Sequence, residues 1–379
     1  MTRVVVFVGT RPEAIKMAPV VMELRSRPQC EVSLCASGQH KEMLEDALRD
    51  FSLRPDSNLA VMTAGQSLAG LTSRLFQAID AELERQNPDW VLVQGDTTTV
   101  MVAALCAFYR KIRIGHVEAG LRTDNKFSPF PEEMNRSIAG VAADLHFCPT
   151  PGARENLLRE AVPESRIFVT GNTVVDALHW MRARLDGVEE ALPDELGQKI
   201  RRYPRMVLIT SHRRENFGAG LANICRALLE LSRCHADTLF VWPVHLNPQV
   251  REPVLGMLGG QDRIVLLTPQ SYRPFLFLMQ QATVILTDSG GMQEEATVLG
   301  KAALVMRDTT ERPEGINAGA AKLVGTSDTA IIREVTALLE SPQLRKDMAD
   351  RGEGLYGDGR AAARIADAVL DHETEPCVG

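Results

Sequence analysis

No stretch of the chain approaches the roughly 18 to 20 consecutive apolar residues that a membrane helix needs, so a bilayer-embedded protein is not expected. Lysine and arginine never gather into a run either. A formal net charge of −7 and an isoelectric point near 5.7 argue against a broad basic surface for nucleic acid, so any anionic ligand must meet a local basic pocket. The seven cysteines (Cys30, Cys35, Cys106, Cys148, Cys225, Cys234 and Cys377) form no CxxC pair, and several sit inside apolar runs, as reduced, buried thiols do. Low-complexity tracts and short repeats are missing too. Thr2 and Arg3 lead into an apolar run at 4–8 that is too short for the core of a secretion signal. These absences point to a cytoplasmic protein with neither a membrane nor a nucleic-acid partner.

What is present is the make-up of an ordinary globular protein. The chain has 45% hydrophobic and 24% charged residues over 379 positions, a length that predicts about two domains. Short β-branched apolar runs alternate with Gly-containing turns and amphipathic helical stretches. Strands are expected at 3–8, 31–35, 90–94, 112–117, 145–148 and 167–170, and the rhythm restarts at 206–210, 239–244, 264–267, 284–287 and 303–306. Continuous apolar strands of this kind belong to parallel sheets covered by helices on both faces, so the fold class is α/β with two doubly wound domains. The polar stretch 185–204, with two prolines and with Gly187 and Gly197, reads as a hinge. It separates an N-terminal domain, 1–184, from a C-terminal domain, 205–358; a terminal segment, 359–379, follows, and its helical stretch 360–372 has a path back to the first domain open to it.

In such sheets ligands gather beyond the carboxyl ends of the strands. After the first strand, Thr10 and Glu13 have capping-box spacing and Pro12 suits a first helical turn. A helix start therefore faces that rim, with Arg11 and Lys16 either holding a diphosphate or remaining solvated surface charges. Later strand exits carry carboxylates at Asp96 and Glu118; His116 and Glu118, two apart, share a face if the strand stays extended. Glu132 and Glu133 open a further helix, where they either serve catalysis or complement the helix dipole, Glu132 making an i,i+4 pair with Arg136. In the second half His212 stands at a strand exit beside Arg213 and Arg214, which favours function over a buried structural role, and His245 follows the next strand. The turn from Asp288 through Ser289, Gly290 and Gly291 lets backbone N–H groups close on a phosphate, and Glu295, one helical turn on, suits ribose hydroxyls. Arg312 follows another strand, and Phe275 is either a base contact or core.

The motifs GTRPEAIKMAPV, GQHKEML, QGDTTT, GHVEAGLRT, PEEMNR, SHRREN, PVHLNP, TDSGGMQEEA and TTERPEG occur in that order between about residue 3 and about residue 326. In this the chain resembles the non-hydrolysing UDP-N-acetylglucosamine 2-epimerases. The resemblance implies a glycosyltransferase-B-like pair of Rossmann domains with the active site in the cleft between them, usually as a homodimer, with no metal or nicotinamide cofactor. It implies conversion of UDP-N-acetylglucosamine to UDP-N-acetylmannosamine by anti elimination of UDP, through 2-acetamidoglucal, and re-addition. By matching position, Asp96, Glu118 and Glu132 resemble the acid/base carboxylates and His212 the histidine that assists UDP departure. Arg11, Lys16 and Arg136 match groups that steady substrate and diphosphate, and Ser289, Gly290, Glu295, Arg312 and Phe275 match the UDP-binding positions. Gln39, His40, Gln66, Arg213 and His245 match parts of a second UDP-N-acetylglucosamine site, an activator site in some members, whereas Glu42 and Gly65 stand where certain members carry glutamine and arginine. Thr297 and Ala302 replace usual prolines, and Ala320 a usual threonine. A 2-epimerase of a related UDP-sugar, such as a 2,3-diacetamido uronic acid sugar, and a UDP-sugar transferase remain open on the same fold. The three carboxylates favour epimerisation over transfer and over a silent UDP-sugar sensor.

Overall fold

The computed structural model describes residues 1–38, 41–63, 65–188 and 192–372. It divides into two compact units, Met1–Met181 with the segment that opens at Tyr356, and Arg182–Leu355. Among the described residues no helix is long and apolar enough to cross a membrane.

The first unit is built on β1 (Thr2–Val8), β2 (Cys30–Ala36), β3 (Ser57–Asn58), β4 (Trp90–Gln94), β5 (Arg113–Val117), β6 (Leu145–Cys148) and β7 (Ile167–Val169). All pair in parallel in the order β3-β2-β1-β4-β5-β6-β7. Both faces of the central strands are covered, so β1 and β4 are buried along their whole apolar runs and need no polar alternation. On one face Val5, Phe7, Val91 and Val93 pack with Leu75 and Ile79 of helix Leu68–Gln86 and with Val100 and Ala104 of helix Thr98–Tyr109. Burying each such Val, Leu or Ile contributes about 1.5–3 kcal/mol.

The strand order reverses between β1 and β4. The chain leaves these neighbouring strands toward opposite faces of the sheet, which opens a crevice at their carboxyl ends. The loops from Gly9 and from Gly95 border it. The last helix, Ala361–Asp371, belongs to this unit, beside helix Arg11–Ser26. The N–H groups of Ala361 and Ala362 donate to the buried Asp176 carboxylate at 3.2 and 2.9 Å, and Arg27 pairs with Asp367 at 2.9 Å.

The second unit carries β8 (Arg205–Thr210), β9 (Thr238–Pro243), β10 (Ile264–Leu267), β11 (Val284–Thr287), β12 (Ala302–Val305) and β13 (Ala321–Leu323), again all parallel, in the order β10-β9-β8-β11-β12-β13. Here the reversal falls between β8 and β11, so the loops from Ser211 and Asp288 flank this crevice. The stretch expected as a polar hinge contains helix Asp194–Arg202, with Leu192 and Leu196 buried. Asp194 and Glu195 at its start and Lys199, Arg201 and Arg202 at its end complement its dipole. The two strands the periodicity missed, β3 and β13, are two and three residues long.

His116 and His146 are buried opposite one another in the β5–β6 register. Burial holds both imidazoles neutral, pulling His116 down to about 4 and His146 down to about 3 from an ordinary 6.5. The unfolded chain then binds more protons below about pH 6.5, so stability is lost as the pH falls from there through the folded values. Thermal unfolding followed from pH 7 to 4 should show this loss, and His146→Gln should lessen it; an equal fall in both proteins rules out His146 as a contributor.

Candidate active site

In the first unit the loop residues are held by buried ion pairs. Helix Arg11–Ser26 starts directly after β1, with Thr10 at its N-cap and Pro12 in its first turn. Only the Glu13 half of the expected capping box forms: the Thr10 side chain accepts no cap bond, while Glu13 takes the Thr10 N–H and also the Gly9 N–H before it, at 3.0 Å. One turn further on, Lys16 is buried and its Nζ donates to Glu118 Oε1. Gln94, at the end of β4, donates to the other oxygen, Oε2. Glu118 lies just past the end of β5 with φ +61°, a left-handed conformation uncommon for a side-chain-bearing residue. The extended alternation expected to put His116 and Glu118 on one face is therefore broken. His116 turns instead to the Gly95 carbonyl, 2.8 Å from Nε2.

Asp96 sits in the neighbouring loop. Its carboxylate pairs with the buried guanidinium of Arg136, and its carbonyl accepts from Asn135 Nδ2 at 3.0 Å. Arg136 also donates to Glu133 at 3.0 Å, so it pairs with Asp96 and Glu133 in place of the expected Glu132. Glu133 in turn accepts the Thr123 N–H at 2.8 Å, tying the loop after β5 to helix Glu132–Ala142. Glu132 opens that helix, half-buried, and Arg11 is half-buried at the start of its own.

In the second unit Asp288 organises the rim. Its fully buried carboxylate accepts from Ser211 Oγ (2.8 Å), the His212 and Arg213 N–H groups (3.0 Å each) and Asn216 Nδ2 (3.0 Å). His212 Nδ1 lies 3.2 Å from Asp288 Oδ1, which leaves Nε2 for chemistry, and the His212 ring stacks on His245 with centroids 6.1 Å apart. Burial pushes the Asp288 carboxyl up, but His212 and these donors outweigh it and hold it at about 2.

Helix Gly290–Val298 begins at the same turn, and its N-cap Ser289 makes no side-chain cap bond, so first-turn N–H groups remain for an anion. A Cβ at Gly290 would collide with the Arg312 guanidinium and come within 2.8 Å of Glu311. Arg312 is itself fixed by Glu294 (2.6 Å) and Glu311 (2.7 Å). Glu311 is buried, which opposes its charge, yet Arg312, Arg307 and Arg213 hold it far below the usual carboxylate range. Glu295 and Phe275 are both buried, Phe275 in the first turn of helix Tyr272–Gln281.

The first unit thus gathers Lys16, Asp96, Glu118 and Arg136 around the ends of β4 and β5, and the second gathers His212, Arg213, Ser289, Gly290 and Arg312 around the ends of β8 and β11. Gln66 is engaged in its own loop by Arg74 and by Thr63 at 3.2 Å. Gln39 and His40 lie outside the described residues. Sequence reasoning gave no role to Gln94 or Glu311, named Asp288 only as the start of its turn, and left Glu133 between catalysis and the helix dipole; for Gln94 and Asp288 the available signal was a polar residue at a strand exit. Among the described residues no group of three or more His, Cys, Asp or Glu side chains is placed to hold a metal ion.

These two parallel sheets, each with its polar residues at the carboxyl ends of the strands flanking a reversal, define a doubly wound α/β protein of the glycosyltransferase-B type. MurG of Acinetobacter baumannii shares that fold alone, at 14% identity and a TM-score of 0.60 over 98% of this chain and 100% of that one. A family model described as UDP-N-acetylglucosamine 2-epimerase matches residues 22–370. The UDP-N-acetylglucosamine 2-epimerase of Yersinia pestis is 49% identical over 377 residues, covering 98% of this chain and 99% of that protein. The crystal structure of the Neisseria meningitidis UDP-GlcNAc 2-epimerase bound to UDP-GlcNAc is similar at a TM-score of 0.90 and 44% identity, over 98% of this chain and 100% of that one. The chain belongs to the UDP-N-acetylglucosamine 2-epimerase family, a family of isomerases.

Asp288→Asn keeps the shape of the side chain but turns one end into a donor facing donors. It should cost about 2 kcal/mol, a drop in melting temperature of ~4–8 °C for a unit of this size. Because the folded Asp288 pKa lies below its ordinary 3.8, its contribution is present above that value and lost as the pH falls through about 2. The gap in melting temperature between wild type and variant should hold from pH 7 to 4 and narrow below; a gap that ignores pH throughout refutes the assignment.

Proposed function

We propose that the chain interconverts UDP-N-acetylglucosamine and UDP-N-acetylmannosamine by eliminating and re-adding UDP. One carboxylate takes the proton from carbon 2, the C–H electron pair becomes the C1–C2 double bond of 2-acetamidoglucal, and the C1–O bond breaks with its pair leaving on UDP. Return of UDP to C1, with a proton delivered to the opposite face of C2, gives the epimer. The observation that carries this reading is the set of Asp96 and Glu118 on neighbouring strand-end loops, each ion-paired to a buried cation, Arg136 or Lys16. Two acid/base groups are what proton removal from one face and delivery to the other require. Glu132 is the third carboxylate of the set, and Arg11 joins Lys16 and Arg136 in steadying the substrate.

His212, oriented by Asp288, assists departure of UDP, and the Gly290 turn with Ser289, Glu295, Arg312 and Phe275 holds the nucleotide. The relative crystallised with UDP-GlcNAc supports a UDP-sugar as the substrate. A second UDP-N-acetylglucosamine as activator would engage Arg213, His245, Gln66, Gln39 and His40. Arg213 and Arg312 share Glu311, at 3.5 and 2.7 Å, which gives such an effector a route to the nucleotide.

Incubation with UDP-N-acetylglucosamine in heavy water, followed by NMR, should show deuterium at carbon 2 together with a manno epimer. Transfer without epimerisation, or epimerisation without exchange at carbon 2, overturns the reading. In the same assay Asp96→Asn should abolish turnover and leave UDP affinity nearly unchanged; retained turnover removes Asp96 from the mechanism.

We further propose a homodimer through the helices Thr98–Tyr109 and Glu132–Ala142, where Phe108, Tyr109 and Val141 are 60%, 68% and 90% exposed. Light scattering should give twice the 41.7 kDa chain mass for the wild type and the single mass for a Phe108→Glu, Val141→Asp variant. A monomeric wild type discards the interface.

A further inference from the structure

Glu13 is a buried carboxylate, 2% exposed, that the proposed chemistry does not use. Its two oxygens face two different loops. Oε2 accepts the Gly9 N–H at 3.0 Å, in the loop that leads to Arg11, and Oε1 accepts from the Thr97 hydroxyl at 2.8 Å, in the loop that carries Asp96. Thr97 is the donor in that bond because an ionised carboxylate has no hydrogen to give, and its oxygen also receives the Val100 N–H at 3.3 Å as the N-cap of helix Thr98–Tyr109. The Gly9 backbone has little room to shift, because a side chain there would collide with Thr99 and come within 2.9 Å of Ser37 Oγ. An acceptor-only group held by donors from both loops in so tight a space is a fixed strut.

We propose that Glu13 is a positioning residue of the reaction, bonding Gly9 and Thr97 so that the loop leading into Arg11 and the loop bearing Asp96 keep one spacing. The inference rests on the epimerase reading for what that spacing serves. Asp96 is held on one side by Arg136 and on the other through Thr97, the next residue in the chain, by Glu13. Release of either hold lets the carboxylate drift from the proton it must reach, and displacement by about 1 Å is enough to lower a rate ~100-fold.

The protonation of Glu13 bears on the same strut. Burial raises its carboxyl to about 7, against the hydrogen bonds from the Thr10 and Thr97 hydroxyls and the Gly9 and Thr10 N–H groups. The charged groups around these loops are Arg11 and Lys16 on its own helix, Asp96 beside Thr97, Arg136 paired to Asp96 and Glu118 paired to Lys16; His116, bonded to Gly95, stays neutral. Protonation puts a hydrogen on one Glu13 oxygen, so either the Thr97 hydroxyl must turn round to accept or the Gly9 N–H loses its acceptor. The intact strut is therefore the form above about pH 7.

The test uses the full chain and UDP-N-acetylglucosamine. Glu13→Gln, a shape-matched copy of the protonated state, should lower kcat about 10- to 100-fold and leave UDP affinity within about twofold of wild type. An ionisation near neutrality in the wild-type kcat profile should vanish in this variant. Thr97→Val should give a similar loss, Thr97→Ser should restore most of it, and the Glu13→Gln, Thr97→Val double variant should be no worse than either single one, since both remove one contact. Wild-type kcat and pH profile in Glu13→Gln, or additive losses in the double variant, overturn the proposal. Should Glu13→Gln fail to fold, the Thr97→Val and Thr97→Ser pair decides alone, equal activity in the two being the refuting result. A wild type that does not epimerise removes the reaction itself, whereas a fully active Glu13→Gln beside an active wild type removes only the role of Glu13.

Discussion

A carboxylate taken out of water keeps its charge only if donors or cations occupy its lone pairs, and this constraint shapes both rims. Asp288 meets it with a hydroxyl, an amide, two backbone N–H groups and an imidazole, all from the Ser211–Asn216 stretch. Glu133 meets it with Arg136 and the Thr123 N–H, and Glu118 with Lys16 and Gln94. In each case at least one donor comes from a different loop or element than the acceptor, so satisfying the charge also fixes the loop. Fixed dipoles and charges at strand ends are the preorganisation that charge-separating chemistry needs.

Exposure sets Asp96 and His212 apart from the groups that hold them, whereas Glu118 is as buried as its partner Lys16. The Lys16, Arg136 and Asp288 side chains are 6%, 4% and 0% exposed, whereas Asp96 and His212 are 28% and 41% exposed. Each open group has a closed partner: Asp96 has Arg136, and His212 has Asp288. Removing a closed partner strands a buried charge, which costs more than the pair itself contributes. Loss of an open group leaves the frame standing, so its effect falls on turnover.

The central strands were legible because they are buried on both faces and read as unbroken apolar runs; β4, β6, β10 and β11 begin and end where the pattern places them. β3 and β13 escape a periodic reading because two or three residues cannot display a period. The helix Asp194–Arg202 carried a signal that the prolines and glycines around it obscured, namely acid at its start and base at its end. At the site, sequence could point to strand exits but not to pairings. Arg136 sits four residues from Glu132, yet it pairs with Asp96, forty residues away, and with Glu133 on its own helix. Nor could it reveal that Asp176 caps a helix that begins at Ala361, a bond spanning 185 residues.

Three departures from the usual family pattern show how the frame tolerates change. Thr297 lies in the helix that starts at the Gly290 turn, and its hydroxyl donates to the Gln293 carbonyl one turn back at 2.7 Å, so the buried polar group is satisfied without reaching that turn. Its methyl stands where a side chain at Gly352 would collide, so Gly352 leaves room for a threonine at this position. Ala302 opens β12 and Ala320 directly precedes β13, both buried and apolar, adding no group that needs a partner. The rim tolerates less. Replacing Gly290 would drive a side chain into Arg312, and replacing Asp288 would leave donors facing one another, so freedom to vary ends where a buried charge fixes two elements at once.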